Sequence, residues 1–554
     1  MEPAVGAPGE TVPWVVVSAD RRASEAGAAV LARGGNAIDA AITVQTVLGL
    51  VEPQSSGLGG GAFMLYYDAS SKAVKAYDGR EVAPFSAAPD MFLQEDGTPM
   101  PFYDAVTSGL SVGVPGAVAM LSLAHAEHGV LEWSSLFAPA ETLARDGFQV
   151  SPRLNYLLGR FTKFAETEAA NATYYTADGE PLAEGATVLN TAYADTVRAI
   201  AEGGAAAFYT GEIAEQIVAA VNAKAGEGTM TLEDLASYQP TKRRPVCLVA
   251  LAHEICSMGP PSSGGVTVLQ ILSLFEQSMG DTDAPSAEAW AKYLEASRLA
   301  FADRNHYLAD PSAMGGEGVD ARDIVEGLIS APYLADRATL IGDSAAETVE
   351  HGDPLANGFN DERAADASPE LPGTSHFSIR DSQGNVVSMT TTVEFAFGSH
   401  LMAGGFVLNN QLTDFSFVPE VDGVPVANAA APGKKPRSSM APVIVLDEDR
   451  NPVIAIGSPG GPAIIGYVAQ TLIGALDWDM DLQAAVDMPR LVAPRGSVIA
   501  EEGMDPTMVT ALEDFGYDVT VRELTSGLNG FRLSGDDISI AADTRREGYG
   551  MMAE

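Results

Sequence analysis

Between Gly342 and Pro372 the chain changes character, and that change constrains the fold more than any other feature. The segment "GDSAAETVEHGDPLANGFNDERAADASPELP" is polar, acidic and rich in Ala, Asp, Glu and Pro. Such a stretch buries too little apolar surface to offset its ordering entropy, so it reads as an exposed, mobile linker. Upstream, from roughly Val112 to Ala345, helical spacing dominates. Ala287 to Leu308, "AEAWAKYLEASRLAFADRNHYL", repeats apolar residues at helical period, and "MGPPSSGG" (Met258 to Gly265) breaks the pattern before the helix "VTVLQILSLFEQ". Downstream the pattern becomes strands. "SHFSIRDSQGNVVSMTTTV" reads as a hairpin turning at Ser382 to Asn385, and "PVIVLDED" and "PVIAIGS" read as later strands. Helices and strands segregated in this way predict an α+β layered architecture rather than alternating βαβ units. No internal repeat is visible.

Near the start, "ASEAGAAVLAR" (Ala23 to Arg33) reads as a helix ended by Gly34-Gly35, and Asn36 is placed to cap the next helix, "AIDAAITVQTVLGLV". The run Gly57 to Ala62 matches the dinucleotide pattern G-x-G-x-x-A. It follows a helix and precedes a strand (Phe63 to Tyr67), the reverse of the order that a dinucleotide site needs, so that reading is rejected.

The 554 residues are 46% hydrophobic and 19% charged, enough for one large layered domain or several smaller ones. There are 74 acids against 32 bases, a net charge of −42. The acids are spread along the chain as a solvated coat of the kind that keeps a salt-adapted protein soluble. That coat repels nucleic acid and anionic membranes. Met1 to Glu10 has no basic or apolar region of a signal peptide, and no apolar run is long enough to span a membrane. The expectation is a cytoplasmic protein, or a periplasmic or extracellular one if this is a trimmed mature chain. Two cysteines occur, Cys247 and Cys256. They read either as two buried thiols or as a cross-strand disulfide. A turn at Leu251-Ala252 puts both four residues from it, on a non-hydrogen-bonded pair where side chains come closest. Such a bond persists only outside a reducing cytosol.

Few motifs carry chemistry by themselves. His125 and His128, in "HAEH", lack a third metal ligand and read as a solvated helix face. There is no G-x-S-x-G, no Walker lysine and no C-x-x-C. "GSPGG" (Gly457 to Gly461) joins a strand to a helix. It reads either as a tight turn or as exposed N–H groups for an anion or oxyanion. Gly373-Thr374-Ser375 sits where the linker meets the first strand. As an internal residue Thr374 needs a base. If its hydroxyl attacks the Gly373 carbonyl and the resulting ester is hydrolysed, the freed α-amine (pKa ~7.7–8.0) serves as that base. The same triplet is also an ordinary turn into a strand.

More of the chain bears on this choice. "GTSHFSIRDSQGNVVSMTTTVEFAFGS", "FVLNNQLTDFS", "KKPRSSMAPVIV" and "IAIGSPGG" fall in that order, preceded by "VEPQSSGLGGGAFMLYYD", "DGREVAP", "SMGPPSSGG" and "FADRNHYLADP". From about Ser18 to Tyr549 the chain closely resembles the γ-glutamyltransferase family of N-terminal-nucleophile hydrolases. The resemblance implies a four-layer αββα sandwich and self-cleavage between Gly373 and Thr374. It would leave a large fragment, 1–373, ending in the acidic segment, and a small fragment, 374–554, interleaved in one globular domain. It implies Thr374 as nucleophile, with Thr392, eighteen residues on, bonding its hydroxyl from an adjacent strand. Arg80 would pair the substrate's α-carboxylate, assisted by Ser438 and Ser439. Asp414 would pair the α-ammonium, assisted by Gln411. Gly460 and Gly461 would offer backbone N–H groups to the oxyanion.

Two departures from the family pattern stand out. Glu394 replaces an Asn common in typical transferases, so an acceptor-only carboxylate stands in the pocket beside Asp414, able to repel an α-carboxylate or bind an ammonium. The segment Phe415 to Arg437 is shorter than the lid of well-known members and has no Tyr. Both lean towards hydrolysis over transfer. The expected activity is an autoprocessed γ-glutamyl amide hydrolase or transferase, acting on γ-glutamyl peptides and glutathione-like substrates, with water, an amino acid or a dipeptide as acceptor. The alternatives are a glutaryl or β-lactam side-chain acylase of the same fold and an uncleaved, non-catalytic binding homologue. No metal or organic cofactor is implied. A homodimer is left open.

Overall fold

The computed structural model describes residues 12–279, 285–316, 318–355, 363–366, 373–494, 496–535 and 537–553. Its layers are built by period-two alternation. In β1 (Val15–Ser18), Val15 and Val17 enter one core and Val16 the other. In β2 (Gly61–Asp68), Phe63, Leu65 and Tyr67 point one way and Ala62, Met64 and Tyr66 the other. Each strand is buried on both faces because layers lie on both sides.

The remaining strands of the two main sheets are β3 (Ala73–Gly79), β4 (Thr241–Arg243), β5 (Val246–Ala250), β6 (His253–Ser257), β7 (Ser375–Arg380), β8 (Val386–Thr392), β9 (Val443–Leu446), β10 (Pro452–Gly457), β11 (Asn529–Ser534), β12 (Asp537–Ala542) and β13 (Tyr549–Met552). One sheet runs β13-β1-β7-β8-β2-β3-β4 and the other β12-β11-β10-β9-β6-β5. Helices α1 (Arg21–Ala32) and α2 (Ala37–Val51) cover the outer face of the first sheet. Helices α3 (Gly264–Met279), α4 (Ala287–Tyr307) and α5 (Ala463–Leu476) share a core with the second. This is the four-layer αββα sandwich of an N-terminal-nucleophile hydrolase.

Local signals explain the ends of the helices. Asn36 caps α2 in a full capping box with Asp39, worth about 1 kcal/mol. Helix α1 begins two residues before its expected start because Asp20 accepts from the Arg22 N–H. The hairpin β5–β6 turns at Leu251 and Ala252, both with positive φ (50° and 60°), and pairs Cys247 with Cys256. The two are joined in a disulfide across a 4.1 Å Cα separation, so the thiol alternative is set aside.

Three expectations need correction. The segregation of helices before strands does not hold, since β1 to β6 precede the acidic segment, β1 lies between β13 and β7, and β2 and β6 pair with the later strands β8 and β9. Non-local pairing of this kind leaves little trace in local sequence. The acidic segment is not simply a loose linker where it is described. Lys292 Nζ donates to the Gly342 carbonyl at 2.7 Å, Arg363 donates to the Ala313 carbonyl at 3.0 Å, and Asp366 is buried against Arg437 at 2.9 Å. Residues 356–362 and 367–372, including Leu371 and Pro372, lie outside the described residues. Finally, His125 and His128 are half-buried rather than solvated. His125 Nε2 lies 2.9 Å from the Leu131 carbonyl, and His128 stacks on Tyr66 with Nε2 at 2.8 Å from the Tyr77 hydroxyl. Among the described residues, no helix is long and apolar enough to cross a membrane.

Candidate active site

The β7–β8 register fixes the centre of the site. Ser375 pairs with Thr391 and His376 with Thr390, so one further step sets Thr374 opposite Thr392. Alternation then places Thr374, His376 and Ser378 on the same face as Thr392, Thr390 and Ser388, between the two sheets. Thr374 Oγ1–H donates to Thr392 Oγ1 at 3.0 Å, and the Glu394 backbone N–H donates to the same oxygen at 2.8 Å. Next in the row, His376 Nδ1 lies 2.9 Å from Thr390 Oγ1 and Nε2 lies 3.1 Å from Ser378 Oγ. Burial pushes this imidazole down to about 3, so it is neutral at working pH.

The bond before Thr374 is tightly constrained. The Gly460 N–H donates to the Gly373 carbonyl at 3.2 Å. A Cβ on Gly373 would lie 1.5 Å from the Glu394 carbonyl oxygen, so only glycine fits. Thr374 itself has φ of 91°, a strained conformation for a β-branched residue that costs roughly 1–3 kcal/mol. Gly460 and Gly461 both have positive φ, in the turn between β10 and α5.

Beneath the nucleophile strand is a buried polar network that sequence reasoning missed. Ser375 Oγ donates to Glu52 Oε2 at 2.7 Å, Ser56 Oγ donates to Ser375 Oγ at 3.3 Å, and Arg546 Nη1 donates to the Thr374 carbonyl at 3.0 Å. Burial raises Glu52 to about 7, against the opposing pull of Arg153 and the Ser375 hydroxyl. The only local signal was Glu52 in "VEPQSS", directly after a helix. Arg546 lay far away in the sequence.

Arg80 and Asp414 line the same cavity as Thr374. Their side chains pair at 2.5 Å, and Gln411 Nε2 donates to the same Asp414 oxygen at 2.8 Å. Arg80 is 1% exposed, held by the carbonyls of Pro436 and Arg437. Glu81, also missed, lies 3.8 Å from Arg80. Burial lifts it to about 8, with Arg80 opposing. Ser438 Oγ accepts from the Met440 N–H at 3.1 Å, and Ser439 Oγ accepts from Arg304 Nη2 at 2.7 Å. Glu394, with φ of 78°, turns its carboxylate onto the Asn410 amide. A narrow cavity of about 20 Å³ gathers Thr374, Thr392, Arg80, Glu394, Gln411, Asp414, both serines and Gly461. Gly460 lies beside it through its bond to Gly373. Every expected residue of the pocket is therefore in one place.

Comparison with known proteins bears on what such a chamber is. The sequence profile of the family described as Gamma-glutamyltranspeptidase matches residues 23–553. The chain belongs to the gamma-glutamyltranspeptidase family. A relative called glutathione hydrolase proenzyme from Bacillus subtilis is 36% identical over 512 residues, 91% of this chain and 84% of the relative. Its namesake from Escherichia coli is 34% identical over 544 residues, 96% and 90% of the two chains. A solved cephalosporin acylase from Bacillus halodurans superposes with a TM-score of 0.85 at 26% identity, covering 99% of this chain and 97% of that one. The protein is thus an enzyme of the gamma-glutamyltranspeptidase family. In this family member, the three-ligand group among the described residues that could hold a metal is Cys247, Glu254 and Cys256. The disulfide consumes both sulfurs, which leaves one carboxylate.

Proposed function

We propose that this protein cleaves itself between Gly373 and Thr374 and then acts as a γ-glutamyl amide hydrolase and transferase. The observation that carries the reading is the pairing of two geometries. Thr374 Oγ1 is bonded to Thr392, and the Gly373 carbonyl already receives a backbone donor from Gly460. In the self-cleavage step, Oγ1 attacks the Gly373 carbonyl carbon. The Gly460 N–H meets the developing oxyanion, the C–N bond breaks, and the hydroxyl proton goes to the departing amine. Water then hydrolyses the ester. The strain at Thr374 is released, because an N-terminal residue no longer has a constrained φ. The new α-amine becomes the base for later attacks on substrate.

The Arg80–Asp414 pair accounts for the choice of substrate. A guanidinium and a carboxylate in contact form a neutral, dipolar wall. The α-carboxylate and α-ammonium of a γ-glutamyl group replace each partner with a matching charge. Ser438, Ser439 and Gln411 line the same wall and add hydrogen bonds. The γ-carbonyl then lies towards Thr374, with Gly460 and Gly461 as donors to its oxyanion. Transfer of the acyl group to water gives hydrolysis, and transfer to an amino acid or dipeptide gives transpeptidation.

A second reading, a side-chain acylase, is favoured by the full-length likeness to the cephalosporin acylase and by Glu394 in the chamber. Matched γ-glutamyl and glutaryl anilides separate the two. The first reading expects kcat/KM at least tenfold higher for the γ-glutamyl compound, since Asp414 needs an ammonium partner. A preference for glutaryl would transfer the assignment to the acylase. For compartment, we propose an oxidising one, because the Cys247–Cys256 bond persists there.

A further inference from the structure

A cleft of about 540 Å³ shares no lining residue with the chamber of Thr374. One wall is the stretch of chain that leaves β4, the edge strand of the first sheet, and enters β5, the edge strand of the second. It carries Lys242, Arg243 and Arg244, the longest basic run in a chain of net charge −42. The facing wall is the helix Ala321–Leu328 with Ile329 after it. Ile324 and Leu328 enter the core, whereas Arg322, Val325, Glu326 and Ile329 lie one helical stripe away and line the cleft. Val246 and Pro260 add to its apolar surface. Four bases therefore face Glu326, the one acid among the described lining residues, and Arg322 already holds it at 2.5 Å. Lys242 reaches away to Glu127 at 2.6 Å, and Arg243 Nε holds Asp78 at 2.7 Å. Arg244 is exposed and has no ion-pair partner among the described residues. Apolar walls with a few convergent charges of one sign are the make-up of a small-molecule site.

We propose that this cleft is an effector site for a monocarboxylate with an apolar body, such as a medium-chain acid. Arg244 and the outer N–H groups of Arg243 take the carboxylate, and Val246, Val325 and Ile329 cover the body. A compact anion would leave the apolar wall wet, and a neutral hydrocarbon would leave the bases unused. Arg243 ties the cleft to the chamber through Asp78. One oxygen of buried Asp78 accepts the Arg80 backbone N–H at 2.8 Å, and the other is held by Arg243 at 2.7 Å and Lys435 at 2.9 Å. A ligand that draws Arg243 outward leaves Asp78 on Lys435 alone and slackens the anchor of Arg80, so an occupied cleft weakens donor binding. This link rests on the γ-glutamyl reading above; the binding site itself does not.

Isothermal titration of the purified protein with octanoate tests the site. Octanoate is expected to bind once per chain. Acetate, with the charge but not the body, binds at least about thirtyfold more weakly, because several methylene groups go unburied. Octanamide, with the body but not the charge, binds at least about tenfold more weakly. Arg244→Glu and Val325→Asp each lower octanoate affinity at least about tenfold, and Arg80→Gln leaves it within about twofold. With a γ-glutamyl anilide as donor, saturating octanoate raises KM and leaves kcat within about twofold, and Arg244→Glu removes that rise. No binding of octanoate, binding that survives both cleft variants, or binding lost in Arg80→Gln overturns the site. Equal affinity for acetate and octanoate overturns the apolar body. Binding in the cleft with no change in KM overturns the link to Arg80. An enzyme that binds octanoate as expected but turns over no γ-glutamyl donor overturns the γ-glutamyl reading and leaves the site standing.

Discussion

At the scale of single residues, function turns on two threonines and on what surrounds them. Thr392 Oγ1 accepts a hydrogen bond from the Thr374 hydroxyl while the Glu394 N–H holds it in place. Thr392→Ala is expected to fold, to process slowly and to lose on the order of a hundredfold in kcat. Thr392→Ser should recover most of this, measured by single-turnover kinetics. Gly373→Ala is expected to abolish processing, since its Cβ would overlap the Glu394 carbonyl. The pH dependence centres on Glu81. Raised to about 8 by burial, it is neutral below that pH and anionic above it. Above pH 8 it then competes with the α-carboxylate for Arg80, so KM for a γ-glutamyl donor should rise. Glu81→Gln should flatten that alkaline rise and leave KM at pH 7 within about twofold. Little of this was legible from composition. The family resemblance named Thr374 and Thr392 as a pair, and the turn near Gly384, midway between them, suited that pairing. Glu52, Glu81 and Arg546 were not legible, because their importance depends on burial and on partners distant in the chain.

At the scale of elements, strand register does most of the positioning. One turn of five residues, 381–385, sets the β7–β8 pairing and so places the two hydroxyls on one face. A slip of one residue would send Thr374 to the helix side. The β5–β6 hairpin was legible for the same reason, since Cys247 and Cys256 are equidistant from Leu251-Ala252. The chemistry of that turn was not, because neither residue favours positive φ. The disulfide crosslinks an edge hairpin remote from Thr374. Reduction is expected to lower thermal stability by about 2–4 kcal/mol or less and to leave kcat unchanged, as read by thermal melts with and without reductant. The acidic segment was misjudged where it is anchored. Its composition favours disorder, but Asp366 is held by a buried arginine from another part of the chain.

At the scale of the whole molecule, both sheets combine strands from before and after Gly373, with β1 between β13 and β7 in one and β6 paired to β9 in the other. The fragments are therefore expected to stay associated after cleavage and to co-elute on size exclusion, separating only in denaturant. The net charge of −42 makes the folded state self-repelling. Raising salt from about 0.1 to about 1 M should raise the melting temperature, as the Debye length falls from ~10 to ~3 Å. The central claim is that Thr374 breaks its own upstream bond and then serves as nucleophile. The most direct measurement is intact mass with N-terminal sequencing of the purified protein beside Thr374→Ala. The account predicts two fragments in the wild type, the smaller beginning Thr-Ser-His-Phe, and an uncut, inactive chain in the variant. A wild type that remains a single 57.6 kDa chain, or a variant that processes normally, would contradict it.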